Sequence, residues 1–451
     1  MDNIREAINE AVKNGRLDIL IDFHRKYKNQ CPWDSQTCYY AAAEGHLECL
    51  KYLHENKCKW DEYTCDGAAE KGHLECLKYA HENGCSWNEY TCYEAAKNGD
   101  LKFLKYLYEN GCPWGKYTCC YAARYGHIEC IKYAHENGCF WDEWTCAYAA
   151  MNGHIECLKY VHENGCSWNE FTCSHAAKFG YIECLKYAHE NGCLWNSTTC
   201  CSAASNGHIE CLKYAHENGC PWDNMTCYFV ATYGHLECLK YAHENGCTWD
   251  EYTCKNAAYY GHLNCLKYAH ENGCSWFIET CNYASENGNL ECLKYAHENG
   301  CPWSIDTCHN AARNGHIECL KYAHENGCPW STETCNKAAQ NGHIECLKYA
   351  HRNKCPWDKG IYGSRWDKGI YKYDAYNCFI YAYENGCPYP EELKSTFVKK
   401  ILIPKWRASV KIRPYVIYWM ERSAQTSCAE NGRARIEDKK LFENNFNNLL
   451  V

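Results

Sequence analysis

An all-α solenoid of stacked two-helix repeats is the fold class the sequence predicts, on three observations. Tryptophan recurs at 33, 60, 87, 114, 141, 168, 195, 222, 249, 276, 303, 330 and 357, always 27 residues apart. Each interval carries two short apolar patterns of helical period, and a glycine follows nearly every one of them. No segment alternates with period two, so strands are not expected. A fixed period of this length marks units that cannot bury a core alone and must stack to make one.

At 451 residues the chain exceeds the usual size of a single core, which favours an elongated array. Its composition, 46% hydrophobic with 15% aromatic residues, excludes ordinary disorder. No run of apolar residues is long enough to span a membrane. The opening MDNIREAINEAVKNGRLDIL lacks a signal-peptide core, so a cytoplasmic chain with reduced thiols is expected. The 41 cysteines then need no disulfides. A net charge of −9 argues against a protein built as a whole to bind nucleic acid.

Residues 1–33 read as an N-terminal capping repeat, three residues longer than the others between its Gly15 and Cys31 and richer in charge. Residues 34–357 hold twelve full repeats. The residue after each Trp is Asp, Asn or Ser in eleven of thirteen cases, which is N-cap chemistry. The recurrent Thr three residues on, such as Thr64, is a second candidate for the cap. Cys65, Ala68 and Ala69 then make a narrow apolar face at i, i+3, i+4. Gly72 ends this first helix, where a positive φ is wanted, and glycine fills that place in all twelve repeats. The second helix turns Leu74, Cys76, Leu77 and Ala80 inward, pairs Glu75 with Lys78 outside, and stops at Asn83-Gly84. Residues 358–390 read as a loop plus a degenerate last repeat, with WDKGIY duplicated at 357–362 and 366–371. Residues 391–451 read as a basic helical cap or docking segment. Within it, 393–440 carries 12 Lys/Arg against 4 Asp/Glu, a net +8 that leaves −17 on the rest.

The stretch A-A-x-x-G-H-L-E-C-L-K-Y-A-H-E-N-G-C resembles the ankyrin repeat. Ala68, Ala69, Gly72, His73, Leu74, Glu75, Leu77, Gly84 and Cys85 match that family's pattern. Two departures stand out. The family's T-P-L-H opening is reduced to Thr64-Cys65, and the repeat is shorter than the usual length of about 33 residues. The missing residues fall where ankyrins build a projecting hairpin. The short, Cys- and Trp-rich wording resembles ankyrin-type repeats of giant viruses that infect amoebae. The resemblance implies about thirteen stacked repeats, a curved scaffold that binds other proteins, and no catalysis, cofactor or metal. A monomer is expected, in the cytoplasm (the host's, if viral).

The recurrent polar residues are first weighed as structure. Three cysteine series, beginning at Cys31, Cys38 and Cys49, occupy places that Ala, Leu or Val fills in the family, and Phe103 replaces one of them. Free Cys behaves as a small buried hydrophobe. The alternative is a metal or redox buffer, since His46 and Cys49 make an H-x-x-C pair that nine repeats keep. No C-x-x-C accompanies it, and the His is lost at Asp100, Tyr181 and Asn289. The second His series, from His54, sits where it can favour a helix C-terminal dipole. Each Trp is expected to plug the seam under its own loop.

Function should sit where the repeats differ. Positions three, seven and eleven after each Trp vary and form one stripe on the first helix, opposite the Cys/Ala/Ala face. By the resemblance this stripe lines the concave surface. In the middle repeats it is aromatic: Tyr117, Tyr121, Tyr125, Trp144, Tyr148, Phe171, Phe179, Phe229, Tyr233, Tyr252 and Tyr260. These are the candidate partner-binding residues, because aromatics with polar handles dominate protein interfaces. The competing use is packing of the third-position rings against neighbouring tryptophans. Toward the C-terminus the stripe turns polar, through Glu279, Asp306, Asn314, Glu333, Lys337 and Asn341. Nucleic acid or another acidic partner would be held only through 393–440. No Gly-rich phosphate loop, nucleophile elbow or H-E-x-x-H is present, so no enzyme is expected.

Overall fold

The computed structural model describes residues 2–362 and 373–388. These hold 27 α-helices and two short 3-10 segments, with no strand among the described residues. They fall into two compact units, the first ending at Thr226 and the second beginning at Cys227. Within each, the first helices of successive repeats pack on one another, and so do the second helices. The basic segment 391–451 and the second WDKGIY copy lie outside the described residues.

One repeat shows how the sequence builds the pair. Glu62–Lys71 forms the first helix and Leu74–Glu82 the second. Both candidate caps prove to work together. Asn88 is the N-cap of Glu89–Asn98 and accepts from the Tyr90 amide at 2.8 Å, while Thr91 Oγ1 accepts from the Asn88 amide at 3.4 Å. This reciprocal box recurs at Asp34 with Thr37 and at Ser331 with Thr334. Where Phe277 replaces the cap residue, the helix starts late and spans only Thr280–Glu286.

Both helix ends close on glycine. Gly72 and Gly84 take φ of +79° and +86°, the left-handed turn that lets the next amides return to the last helical carbonyls. His73 N–H donates to Ala68 at 2.8 Å and Cys85 N–H to Ala80 at 2.9 Å. The chain then runs through Cys-Pro/Ser-Trp straight to the next cap, with no hairpin.

The core is made of small side chains on the first helix and larger ones on the second. Cys65, Ala68 and Ala69 are fully buried, as are Leu77 and Ala80, with Cys76 and Cys85 close behind. Each such Leu contributes about 2 kcal/mol by burial. Phe103 is fully buried in its cysteine place, which agrees with reading that series as hydrophobic. In the N-terminal repeat, Asp2–Lys13 and Leu17–Tyr27 bury Ile8, Val12 and Leu20. Its extra residues lengthen the second helix and form the 3-10 turn Lys28–Gln30. At the other end, Tyr373–Glu384 is the helix of the degenerate repeat and buries Cys378, Phe379 and Ala382.

Candidate interaction surface

Three recurrent sets of polar side chains join one repeat to the next. The first is a ring ladder along the second helices. The late His of each repeat lies flat on the following Trp, with centroids 3.4 to 4.1 Å apart, from His54 on Trp60 to His351 on Trp357. Tyr108 substitutes for His on Trp114 at 4.1 Å. A Tyr from the next repeat meets the pair edge-on, Tyr79 standing 6.2 Å from Trp60. His54 Nδ1 and Tyr79 Oη share a hydrogen bond of 3.1 Å, and the same bond joins His162 to Tyr187 and His297 to Tyr322. The dipole role expected for these histidines is not what the structure holds. Burial pushes His162, His189, His324 and His351 below the usual imidazole value, so they are neutral stacking rings. The Trp does fill the seam, but as the middle of a three-ring contact with the next repeat.

The second set is the early His. His127 Nε2–H donates to the Lys97 carbonyl at 2.9 Å, and His262 to that of Thr232 at 3.0 Å. A carbonyl can only accept, so Nε2 carries the proton. The ring also lies over the previous repeat's glycine: a Cβ on Gly126 would stand 2.6 Å from His154 Nδ1. Where His is lost, the replacement is accounted for. Asn289 donates to Ala258 and Tyr259, and Tyr181 covers Gly153. Asp100 instead caps its own helix at Phe103, and Gly72 is left uncovered. The H-x-x-C pair therefore serves packing: its His grips backbone and its Cys is buried.

The third set is the thiols. All described cysteines except Cys31 and Cys201 are buried, and none is in a disulfide. Those before each Trp donate to a cap-residue carbonyl, Cys85 to Asp61 at 3.1 Å and Cys328 to Ser304 at 3.2 Å. They sit beside the thiols of the first helix, Cys227 and Cys247 being 3.2 Å apart at sulfur. Burial pushes Cys76 up to about 11 and Cys184 to about 12, so these are protonated and a poor source of reactive thiolate.

Sequence reasoning missed the Tyr52 series, although Tyr stands nineteen residues after all thirteen of the recurrent tryptophans. It also missed the sixth position after Trp. There Asp66 accepts from Thr91 Oγ1, and Asn282 from Thr307 Oγ1, each at 2.6 Å. Where that position holds Tyr39, Tyr93, Ala147 or Ser174, the buried hydroxyls of Thr64, Thr118, Thr172 and Thr199 have no protein partner.

The varied face of the first helices carries the aromatic stripe. In the first compact unit Tyr117, Tyr125, Trp144, Phe171 and Phe179 are exposed, while Tyr121 and Tyr148 are half-buried. In the second, Tyr233, Tyr252 and Tyr260 are exposed and Phe229 is half-buried. Instead of the competing packing on seam tryptophans, rings of the first helices contact one another, at the third position and between the sixth and seventh. Trp144 stacks on Phe171 at 5.7 Å, and Tyr121 on Tyr93 at 4.9 Å. Cations sit over the rings: Arg124 over Tyr125 and Tyr148, and Lys255 over Tyr252 and Tyr283. Farther along, Lys337 pairs with Glu333 at 3.6 Å and Asn314 donates to the Glu286 carbonyl. No described helix is long and apolar enough to cross a membrane.

No curated protein matches the chain. Among solved structures, the pentatricopeptide repeat protein PPR10 in complex with an 18-nt psaJ RNA element aligns over 97% of this chain and 74% of its own. The identity is 12% and the TM-score 0.39. The human ASB11 ankyrin repeat domain aligns over 40% of this chain and 83% of its own, at 17% identity and a TM-score of 0.29. Neither likeness bears on function. The family model described as ankyrin repeats (3 copies) matches residues 92–172 and 173–253. The one described as ankyrin repeats (many copies) matches 65–108, 281–324 and 308–351. With these models covering more than half of its length, the chain belongs to the ankyrin-repeat family.

Proposed function

We propose that the chain is a non-enzymatic scaffold that binds a partner protein through the aromatic stripe of its first helices. The observation that carries this reading is the exposure of eight large rings on the varied faces of the first helices, five in the first compact unit and three in the second, from 38% at Trp144 to 56% at Tyr233. The recurrent Trp, and the Tyr that meets it from the next repeat, are engaged in the seams instead. Rings held by their neighbours lose little freedom on binding, and the cations over them add polar reach. An exposed patch of this kind marks a partner site. The short Cys- and Trp-rich repeat goes with the giant-virus resemblance, and a cytoplasmic site of action, the host's if viral, follows from it.

The test is affinity capture from the native cell with the whole chain and with Tyr121→Ala/Tyr125→Ala. The variant should lose the proteins that the whole chain retains. Equal capture by both would remove the stripe from the reading.

A further inference from the structure

The first three full repeats carry a groove that none of the candidate partner-binding rings lines. It has a volume of about 630 Å³ and is walled by Tyr39, Tyr63 and Tyr90, with the carboxylates of Asp61, Asp66 and Glu70 among them. Its shape is built in. Glycine stands at the seventh position only at Gly67, where a Cβ would come 2.8 Å from the Tyr39 ring. Tyr39 therefore lies across that helix and donates its hydroxyl to Glu70 at 3.3 Å.

Among the described residues the charge of the groove is largely uncompensated. Asp66 is 5% exposed, and the Thr91 hydroxyl is the single hydrogen-bond donor its carboxylate receives among the described residues. No cation pairs with it there. Asp61 Oδ1 is buried without a hydrogen-bond partner among the described residues. Besides the Tyr39 hydroxyl, Glu70 has Lys71 at 3.9 Å as its one ion pair among the described residues, and Lys97 is committed to Glu94 at 2.7 Å. Burial, with Glu62, Glu94 and Asp61 adding to it against the bond from Thr91, pushes Asp66 up to about 6. A buried carboxylate with an open oxygen is costly unless something pairs with it.

We propose that this groove receives an arginine side chain presented by a segment of a partner protein. A guanidinium supplies the forked donors that the carboxylates lack and a flat cation that the tyrosine faces can hold. Charge complementarity makes the partner segment basic. The site deepens the scaffold reading but does not depend on the eleven candidate partner-binding rings, none of which lines it, although its Tyr63 and Tyr90 hold the same third position.

The test is fluorescence anisotropy of the full chain with a labelled peptide, Ac-Gly-Ser-Arg-Leu-Arg-Ser-Gly, against the same peptide with citrulline for arginine. Citrulline keeps the shape and removes the charge. The arginine peptide should bind at least tenfold more tightly. Asp66→Asn and Glu70→Gln should each weaken it at least fivefold, while Glu333→Gln should not. Glu70 is half-buried at the rim, so its variant decides the matter even if Asp66→Asn fails to fold. Equal affinity for the two peptides, or no effect of Glu70→Gln, would overturn the proposal. Carbodiimide cross-linking of the full chain supplies the other arm. Links from Asp66 or Glu70 to lysines of 393–440 would assign the groove to the chain's own basic segment and overturn a partner's arginine. A failure here leaves the stripe reading standing, because that rests on capture by the Tyr121 and Tyr125 surface.

Discussion

His189 lies flat on Trp195, ring centroids 3.6 Å apart and planes 10° from parallel, and its Nδ1 shares a hydrogen bond of 3.2 Å with Tyr214 of the next repeat. Two residues of one repeat and one of its neighbour are thus locked in one contact. Aromatic pairs of this kind add about 0.5–1.5 kcal/mol beyond burial. His189→Ala should therefore cost about 1 kcal/mol. His189→Tyr should be nearly neutral, because Tyr108 already makes this stack on Trp114. Trp195→Ala loses both ring contacts and should cost about 2 kcal/mol or more. Urea titrations of the three variants check the order, and an unchanged Trp195→Ala would count against the seam.

The neutral histidines set a pH dependence. Burial lowers the pKa of His162, His189, His324 and His351 in the folded state. The unfolded chain then binds more protons below the ordinary value of about 6.5. Their contribution is fully present above that pH and is lost as pH falls through the folded values. Asp66, raised to about 6, acts in the opposite sense: its contribution is lost as pH rises from the ordinary carboxylate range through about 6. His154, His175 and His309 are lowered by burial as well, so with seven histidines against one carboxylate stability should fall between pH 7.5 and 5.5. Denaturation at both values checks this, and replacing His162 and His189 by Tyr should flatten the fall.

Gly126 and Gly72 separate two reasons for one residue type. Both are left-handed, at φ +80° and +79°. Gly126 also lies under His154, whereas nothing stands within 4 Å of a Cβ on Gly72. Gly72→Ala should cost about 1–2 kcal/mol, from backbone conformation alone. Gly126→Ala should cost more by the overpacking penalty, about 1–3 kcal/mol, and His154→Ala in the same chain should return most of that excess. Equal costs for the two single variants would contradict the ring-over-glycine contact.

The buried threonines should divide by partner. Thr91→Val leaves the Asp66 carboxylate without its donor and should cost about 1–3 kcal/mol. Thr172→Val removes a buried hydroxyl that has no protein partner and should be neutral or stabilising. Melting temperatures of the two variants check the contrast.

How much of this was legible is clearest at Trp60. Its period announces the repeat, Asp61 and Gly72 mark the ends of the first helix, and Cys65, Ala68 and Ala69 give the buried face. These are local signals, fixed by backbone chemistry. What lies between repeats was harder to read. His81 carries no mark that it stacks on Trp87 rather than serving a helix dipole, since the choice depends on how one repeat lands on the next. The Tyr79 partner was hidden because a period of 27 separates residues that touch. The stripe was legible as variation among repeats, but the Asp66 groove was not. It arises where Gly67 lets Tyr39 lie down, a contact between two repeats that no single-repeat pattern contains.

The central claim is that each repeat borrows its core from its neighbours. Hydrogen exchange on the full chain with Trp195→Ala tests it most directly, because stacked repeats transmit damage only step by step. Amide protection should fall in the repeats on either side of residue 195 and recover with distance along the first compact unit. A uniform loss of protection across the described helices, or none at all, would contradict it.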